Sequence, residues 1–230
     1  MTRNDGRPLI ALVSAVSAAI PPAEAAFAEV FPEAVVWNIL DDRLLLEIDE
    51  RGSLTPELAE RMTRLIRHAA AEGADGILLT CSIYGTVAHA VAGEIDVPLY
   101  GADDAGFDAV VHSGLHSILL ISPAPGPLAD SARRLAVAAE NAGVDLSITP
   151  AVAEDAAALA RSGDIESLAS LLHSTVLAVD TQVDAVLLGQ FSISPAAARL
   201  AELTGLPVFA TPQSAARALR SSLAIAGDSE

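Results

Sequence analysis

The chain has 230 residues, of which 52% are hydrophobic and only 3% aromatic, so its length allows one large domain or two small ones with cores of Ala, Val, Leu and Ile. A formal net charge of −17 disfavours binding to nucleic-acid phosphates, and a single cysteine excludes an internal disulfide and a multi-thiolate metal site. No apolar run reaches the roughly 18 residues of a membrane span, so we expect a cytoplasmic protein with neither a nucleic-acid nor a membrane partner.

The first half of the chain alternates between predicted strands and helices. Residues 1–8 are polar and predicted to be flexible, and the charged segment 43–53 is predicted to be a loop. Thr55 precedes Pro56 in the pattern of a helix N-cap followed by proline at the first helical position. The predicted strands are 9–14, 34–40, 75–80 and 97–100, and the predicted helices are 24–30, 55–71, 87–94 and 104–113.

The second half follows the same plan. The predicted strands are 117–122, 144–149, 184–190 and 206–210, and the predicted helices are 128–142, 152–161, 164–180, 195–204 and 213–225. The strands are continuous apolar runs, which is typical of parallel sheets that are covered by helices on both faces.

The two halves resemble each other in sequence. The stretch 75–85 ends a strand in Thr80-Cys81-Ser82, and the stretch 184–194 repeats it 109 residues later (184 − 75), with Gln190 in the place of Cys81. We therefore predict an α/β fold of two pseudo-symmetric Rossmann- or flavodoxin-like lobes, each a four-stranded parallel sheet flanked by helices. One lobe comprises 9–113 with the last helix, 213–225, and the other comprises 114–212.

The candidate site residues follow predicted strands. Ligands bind beyond the carboxyl ends of parallel strands, so we expect an active site in the cleft between the lobes. A cysteine between a strand and a helix can form a stabilised thiolate, whereas a free cysteine elsewhere is often a small buried hydrophobe. We expect Cys81 to be partly exposed and to react with iodoacetamide faster than a free thiol. The other residues expected around this cleft are Ser14, Asp41, Thr80, Ser82, Tyr84, Ser122, Gln190 and Ser192.

The repeat and the Thr80-Cys81-Ser82 motif resemble the aspartate/glutamate racemase superfamily over about residues 9–220. This group includes hydantoin racemases, maleate isomerases and arylmalonate decarboxylases. The resemblance implies that cysteines of the two lobes flank a carbon acid, and that one removes a proton which the other returns on the opposite face. It also implies that no metal or organic cofactor is needed, and that small hydroxyls and backbone amides hold the carboxylates.

The sequence departs from the family pattern at three places. Gln190 occupies the position of the second cysteine, Phe191-Ser192-Ile193 lacks the histidine that follows it in glutamate racemases, and Val13-Ser14 replaces an Asp-Ser pair. A glutamine is not a general base near neutral pH, so racemisation by two thiols is excluded. Decarboxylation with protonation, isomerisation, and racemisation with a second base other than cysteine remain open. The resemblance therefore implies Cys81 as a catalytic residue. We predict that Gln190 is the second catalytic residue and acts as a hydrogen-bond donor, because its amide offers two N–H donors.

These residues predict a cofactor-independent racemase or isomerase that acts on the α-carbon of a small carboxylic or amino acid through one cysteine. One alternative is a decarboxylase of a malonate-like diacid that uses the same thiol. Another is a two-lobed protein that binds a sugar or a small carboxylate without catalysis, and a third is a flavodoxin-like binding module. The expected partner is a small carboxylate-containing substrate, and a homodimer or higher homo-oligomer is compatible with the sequence.

Overall fold

The computed structural model describes residues 6–227, with side chains described to residue 223, and these residues contain eight strands and ten α-helices. The prediction of a flexible segment at 1–8 falls mostly on residues 1–5, which lie outside the described residues. At Arg7, which is described, the guanidinium donates to the backbone oxygens of Pro32, Glu33 and Ala34 at 2.9–3.1 Å.

The first sheet has four parallel strands in the order β2-β1-β3-β4. Its central strands, β1 and β3, are buried, because helices cover both faces of the sheet. The strands are β1 (Leu9–Ser14), β2 (Val35–Leu40), β3 (Gly76–Leu79) and β4 (Leu99–Tyr100). The helices in this half are α1 (Ile20–Val30), α2 (Arg43–Arg51), α3 (Pro56–Ala71), α4 (Gly85–Val91) and α5 (Asp104–Val111).

The second sheet has the order β6-β5-β7-β8, and all its pairs are parallel. Its central strands, β5 and β7, are buried like their counterparts in the first sheet. The strands are β5 (Ser117–Ser122), β6 (Ser147–Val152), β7 (Ala185–Leu188) and β8 (Val208–Ala210). The helices are α6 (Pro125–Ala142), α7 (Ala156–Ser162), α8 (Ile165–Leu177), α9 (Ala197–Thr204) and α10 (Thr211–Gly227).

The predicted duplication is confirmed at the level of topology. The two sheets have the same strand order, and β3 and β7 begin 109 residues apart (185 − 76). Ile10 pairs with Gly76 in the first sheet as Ile118 pairs with Ala185 in the second. Two four-stranded parallel sheets flanked by helices were the predicted fold class, and that is the fold observed.

Helix α2 corrects the prediction of a loop at 43–53. Leu44 and Ile48 lie one turn apart and are buried, so the segment has an apolar stripe. Glu47 forms ion pairs with Arg43 at 3.1 Å and Arg51 at 2.8 Å, both at the i,i+4 spacing that supports a helix. The high content of charged residues suggested a loop, but their spacing is that of a helix.

The boundaries of β6 also differ from the prediction, because the strand spans Ser147–Val152 rather than 144–149. Pro150 lies inside it, paired with Leu120. A proline is tolerated there because β6 is at the edge of its sheet, where one side of the backbone needs no hydrogen-bond partner. The N-cap prediction at Thr55 is confirmed, since its side chain accepts a hydrogen bond from the amide of Leu58 at 3.5 Å.

The chain forms two compact units. Of the described residues, unit 1 contains 6–102 and 215–227, and unit 2 contains Asp103–Ser214. The last helix thus belongs mainly with the first sheet. Residues 103–113, which the sequence analysis placed with the first lobe, group with unit 2.

Candidate functional site

Cys81 lies in unit 1, two residues after β3 ends. Its backbone is extended (φ −119°, ψ 118°), and it caps a short 3₁₀ turn, Ser82–Tyr84, that leads directly into α4. The amide of Tyr84 closes this turn by donating to the carbonyl of Cys81 at 3.1 Å. The thiol is therefore at a junction between a strand and a helix, as the sequence predicts.

The thiol is more enclosed than the sequence suggests. Only 9% of Cys81 is exposed, so the expectation of a partly exposed cysteine is wrong. Cys81 belongs to the same buried cluster as Leu44 and Ile48 of α2. The segment predicted to be a loop thus contributes apolar side chains to the core around the thiol.

A pair of buried hydroxyls joins the ends of β1 and β3 beside Cys81. The side-chain oxygens of Ser14 and Thr80 share a hydrogen bond of 2.9 Å, and the two residues are 0% and 4% exposed. The structure thus brings two of the predicted substrate-binding residues together, and their hydroxyls share one hydrogen bond. Ser82, which is 8% exposed, begins the 3₁₀ turn that follows the cysteine.

Tyr84 has a different role from the predicted one. It is completely buried, and its hydroxyl donates to the backbone oxygen of Leu44 in α2 at 3.3 Å. Burial raises the pKa of Tyr84 above its ordinary value of 10.0, and negative charge at Cys81 and Asp41 acts in the same direction. This phenol stays neutral and anchors the turn after Cys81, so it has no free surface for a substrate.

Asp41, at the end of β2, is held in an ion-pair network. Two guanidinium nitrogens of Arg61 in α3 bind the Asp41 carboxylate at 2.6 and 2.8 Å. The third nitrogen binds the carboxylate of Glu47 in α2 at 2.9 Å. The amide of Arg43 also donates to the Asp41 carboxylate at 3.3 Å. Both carboxylate oxygens are therefore engaged in structure, and the prediction that Asp41 binds substrate has no support in this geometry. Arg61 was not singled out from the sequence, where it is one of several charges on an amphipathic helix.

Gln190 holds the equivalent position in unit 2. Like Cys81 it is extended (φ −146°, ψ 144°), and it directly precedes a 3₁₀ turn, Phe191–Ala196. Its side chain is half-buried, and among the described residues that side chain has no hydrogen-bond partner. The amide is thus available to a ligand, in contrast to the side chains of Asp41 and Tyr84.

The hydroxyl pair of unit 1 has no counterpart in unit 2. Gly189 stands where unit 1 has Thr80, and the Ser122 hydroxyl instead donates to the backbone oxygen of Ala124 at 3.3 Å. Ser122 is 1% exposed, whereas Ser192 is half-buried in the turn after Gln190. The two strand ends are equivalent in backbone but differ in side-chain chemistry.

Unit 1 thus brings together Ser14, Thr80, Cys81 and Ser82, and unit 2 carries Gln190, Ser122 and Ser192. That the two groups serve one substrate stays a prediction. Within residues 6–227, no group of three or more His, Cys, Asp or Glu side chains is arranged to hold a metal ion. The same residues contain no helix that is long and apolar enough to cross a membrane.

The sequence also matches a known protein family. The family model described as Asp/Glu/Hydantoin racemase matches residues 23–219. No curated protein sequence matches the chain.

Three solved structures illustrate the likeness in fold. Glutamate racemase from Francisella tularensis, in complex with D-glutamate, is 13% identical, with 97% of this chain and 83% of that one covered and a TM-score of 0.71. Aspartate racemase from Picrophilus torridus is 14% identical, with 94% of each chain covered and a TM-score of 0.68. Allantoin racemase from Klebsiella pneumoniae is 15% identical, with coverages of 95% and 89% and a TM-score of 0.71.

Proposed function

Because this chain belongs to the Asp/Glu/hydantoin racemase family, which supports an enzyme of the racemase and isomerase class, we propose that it acts on the α-carbon of a small carboxylic or amino acid through the single thiol of Cys81. The observation that carries the proposal is the place of Cys81. It is the only cysteine of the chain, and it stands between β3 and the turn into α4.

The proposed chemistry begins with the Cys81 thiolate as general base. It takes the proton from the α-carbon, and the electron pair of the broken C–H bond moves into the carboxyl group to give an enediolate. The thiol then returns a proton to the same carbon. A thiol suits this task because its ordinary pKa, about 8.5, is close enough to neutral pH for both forms to be populated.

Charge develops on the carboxyl oxygens in the intermediate, so hydrogen-bond donors aimed at those oxygens supply most of the stabilisation. The proposal assigns this task to Gln190, because its amide has two N–H donors and no partner among the described residues. Ser82 and Ser192 are the hydroxyl neighbours in the turns after Cys81 and Gln190.

A single proton carrier limits the outcome of the reaction. If Cys81 returns the proton to the same face of the α-carbon from which it removed it, the proton is exchanged but the α-carbon is not inverted. Inversion therefore requires a second proton donor. Loss of carbon dioxide from a malonate-like diacid needs one donor only, because the carbanion is protonated once. The absence of a titratable group at Gln190 is the observation that keeps this decarboxylase as the second candidate.

The test is a panel of small α-substituted carboxylic acids incubated with the protein in deuterated water and followed by NMR. The proposal predicts deuterium at the α-carbon of at least one acid. Retention of configuration at that carbon identifies Cys81 as the single proton carrier, and inversion identifies a second proton donor. Carbon dioxide release with one deuterium in the product identifies the decarboxylase instead. Binding of an acid without exchange, isomerisation or carbon dioxide loss contradicts both and identifies a carboxylate-binding protein.

A further inference from the structure

A set of hydrogen bonds links the ends of the first three strands of unit 1 to one another. The side chains of Ser14 and Thr80 join β1 to β3 at 2.9 Å. The amide of Asp41 donates to the carbonyl of Ser14 at 3.0 Å, which joins β2 to β1. The amide of Leu44 then donates to the carbonyl of Asp41 at 3.2 Å, where α2 begins.

Tyr84 connects this set to the turn that carries the thiol. Its hydroxyl donates to the backbone oxygen of Leu44, and its amide donates to the carbonyl of Cys81. The phenol ring is completely buried, so the hydroxyl cannot exchange Leu44 for water without movement of the turn. The two hydrogen bonds of Tyr84 therefore connect the backbone of Cys81 to the start of α2.

Arg61 of α3 also contacts α2, through an ion pair. Its guanidinium spans Asp41, just before α2, and Glu47, in the middle of that helix. The side chain of Glu47 is only 13% exposed, so this end of the network is shielded from water. Because a guanidinium offers its donors in a rigid planar fork, it fixes the position of both carboxylates at once.

We propose that Tyr84 is a positioning residue for the Cys81 thiol, that it acts through its hydrogen bond to α2, and that Arg61 supports it by fixing α2. This inference deepens the proposed function and rests on it for its catalytic meaning. The hydroxyl of Tyr84 touches no substrate. It holds the turn 82–84 in the conformation that sets the direction of the sulfur.

The test uses iodoacetamide, which reports on one site because the chain has one cysteine. Tyr84→Phe keeps the ring and removes only the hydroxyl. We expect alkylation of Cys81 to become about fivefold faster without denaturant, the factor that corresponds to the loss of one ordinary hydrogen bond. The faster rate should show a shallow dependence on urea, because it arises from local opening of the turn and not from global unfolding.

The matched control is Tyr100→Phe. Tyr100 is the other tyrosine of the chain, it lies in the same unit, and its hydroxyl shares a 2.8 Å hydrogen bond with Ser222. This variant loses the same group away from the turn, so its alkylation rate should stay at the parent value.

Arg61→Lys is the second variant and decides the matter if Tyr84→Phe does not fold. It keeps the charge but loses the fork, and alkylation should again accelerate without a steep urea dependence. Arg67→Lys on the same helix is its control, because Arg67 pairs with Glu94 at the surface.

The proposal is overturned if folded Tyr84→Phe is alkylated at the parent rate. It is also overturned if the variant is alkylated faster only where the rate rises steeply with urea, which indicates global unfolding. Alkylation needs no turnover, so this result is separate from the proposed function. A parent protein that is inactive on the acid panel would contradict the proposed function and leave the alkylation comparison intact.

Discussion

Single side chains at equivalent positions separate the two halves of this molecule. Cys81 and Gln190 have the same extended backbone and each directly precedes a 3₁₀ turn, yet one can carry a proton and the other cannot. The sequence predicts correctly that Cys81 and Gln190 follow equivalent strands, because a 109-residue repeat aligns the ends of β3 and β7. It does not predict that Tyr84 bonds to Leu44 or that Asp41 pairs with Arg61, since those contacts join segments that are distant in the chain.

Gln190 provides the sharpest test at the scale of the residue. Gln190→Ala should lower turnover of the acid identified by the panel by about 10²–10³, because one donor to a developing oxyanion commonly contributes roughly 3–4 kcal/mol. Gln190→Cys should gain inversion of the α-carbon, because it supplies a second thiol. Both are measured by NMR in deuterated water.

The control for these variants is Gln182→Ala, which removes an exposed glutamine side chain of the same unit. It should turn over the acid at the parent rate. Full activity of Gln190→Ala on the same acid would show that Gln190 is a spectator and would remove it from the proposed site.

At the scale of the element, α2 is the part of unit 1 that sequence analysis missed. Its signals were present, since Leu44 and Ile48 repeat at i,i+4 and Gly52 follows in the left-handed conformation typical of a helix end (φ 76°). The charge content of the segment favours a loop, whereas the apolar spacing and the glycine favour a helix. The consequence reaches the site, because α2 supplies the acceptor of Tyr84 and one carboxylate for Arg61.

The lowered pKa of Glu47 makes the stability of unit 1 dependent on pH. Burial raises the pKa of Glu47, but the hydrogen bond from Arg61 and the charges of Arg43, Arg51 and Arg61 outweigh it and hold that pKa below the ordinary value of 4.5. A carboxyl whose pKa is lower in the folded state stabilises the fold above its unfolded pKa. That contribution is lost as the pH falls through the folded value.

Glu47→Gln should therefore unfold at lower urea than the parent at neutral pH, and the difference should shrink as the solution is acidified below pH 4.5. Glu50→Gln is the control, because Glu50 lies on the same helix and forms no ion pair within the described residues. A stability difference for Glu47→Gln that persists unchanged in acid would contradict the assigned ion pairs.

At the scale of the whole molecule, the duplication was the most predictable feature. Continuous apolar strands and the 109-residue repeat predict two four-stranded parallel sheets, and both have the predicted topology. The enclosure of Cys81 was not predictable, because it depends on a cluster that draws its members from several elements of unit 1. The repeat likewise does not predict which hydroxyls bind the substrate, since hydroxyls at the strand ends can bond to each other, as those of Ser14 and Thr80 do.

The central claim is that the Cys81 thiol carries the proton. It is tested most directly by comparing the rate of α-deuterium incorporation into the identified acid by the parent and by Cys81→Ala, with circular dichroism to confirm that the variant is folded. We expect the parent to incorporate deuterium and Cys81→Ala to show no incorporation above the protein-free rate. Incorporation by folded Cys81→Ala at the parent rate would contradict the claim, because no other cysteine in the chain can replace the thiol.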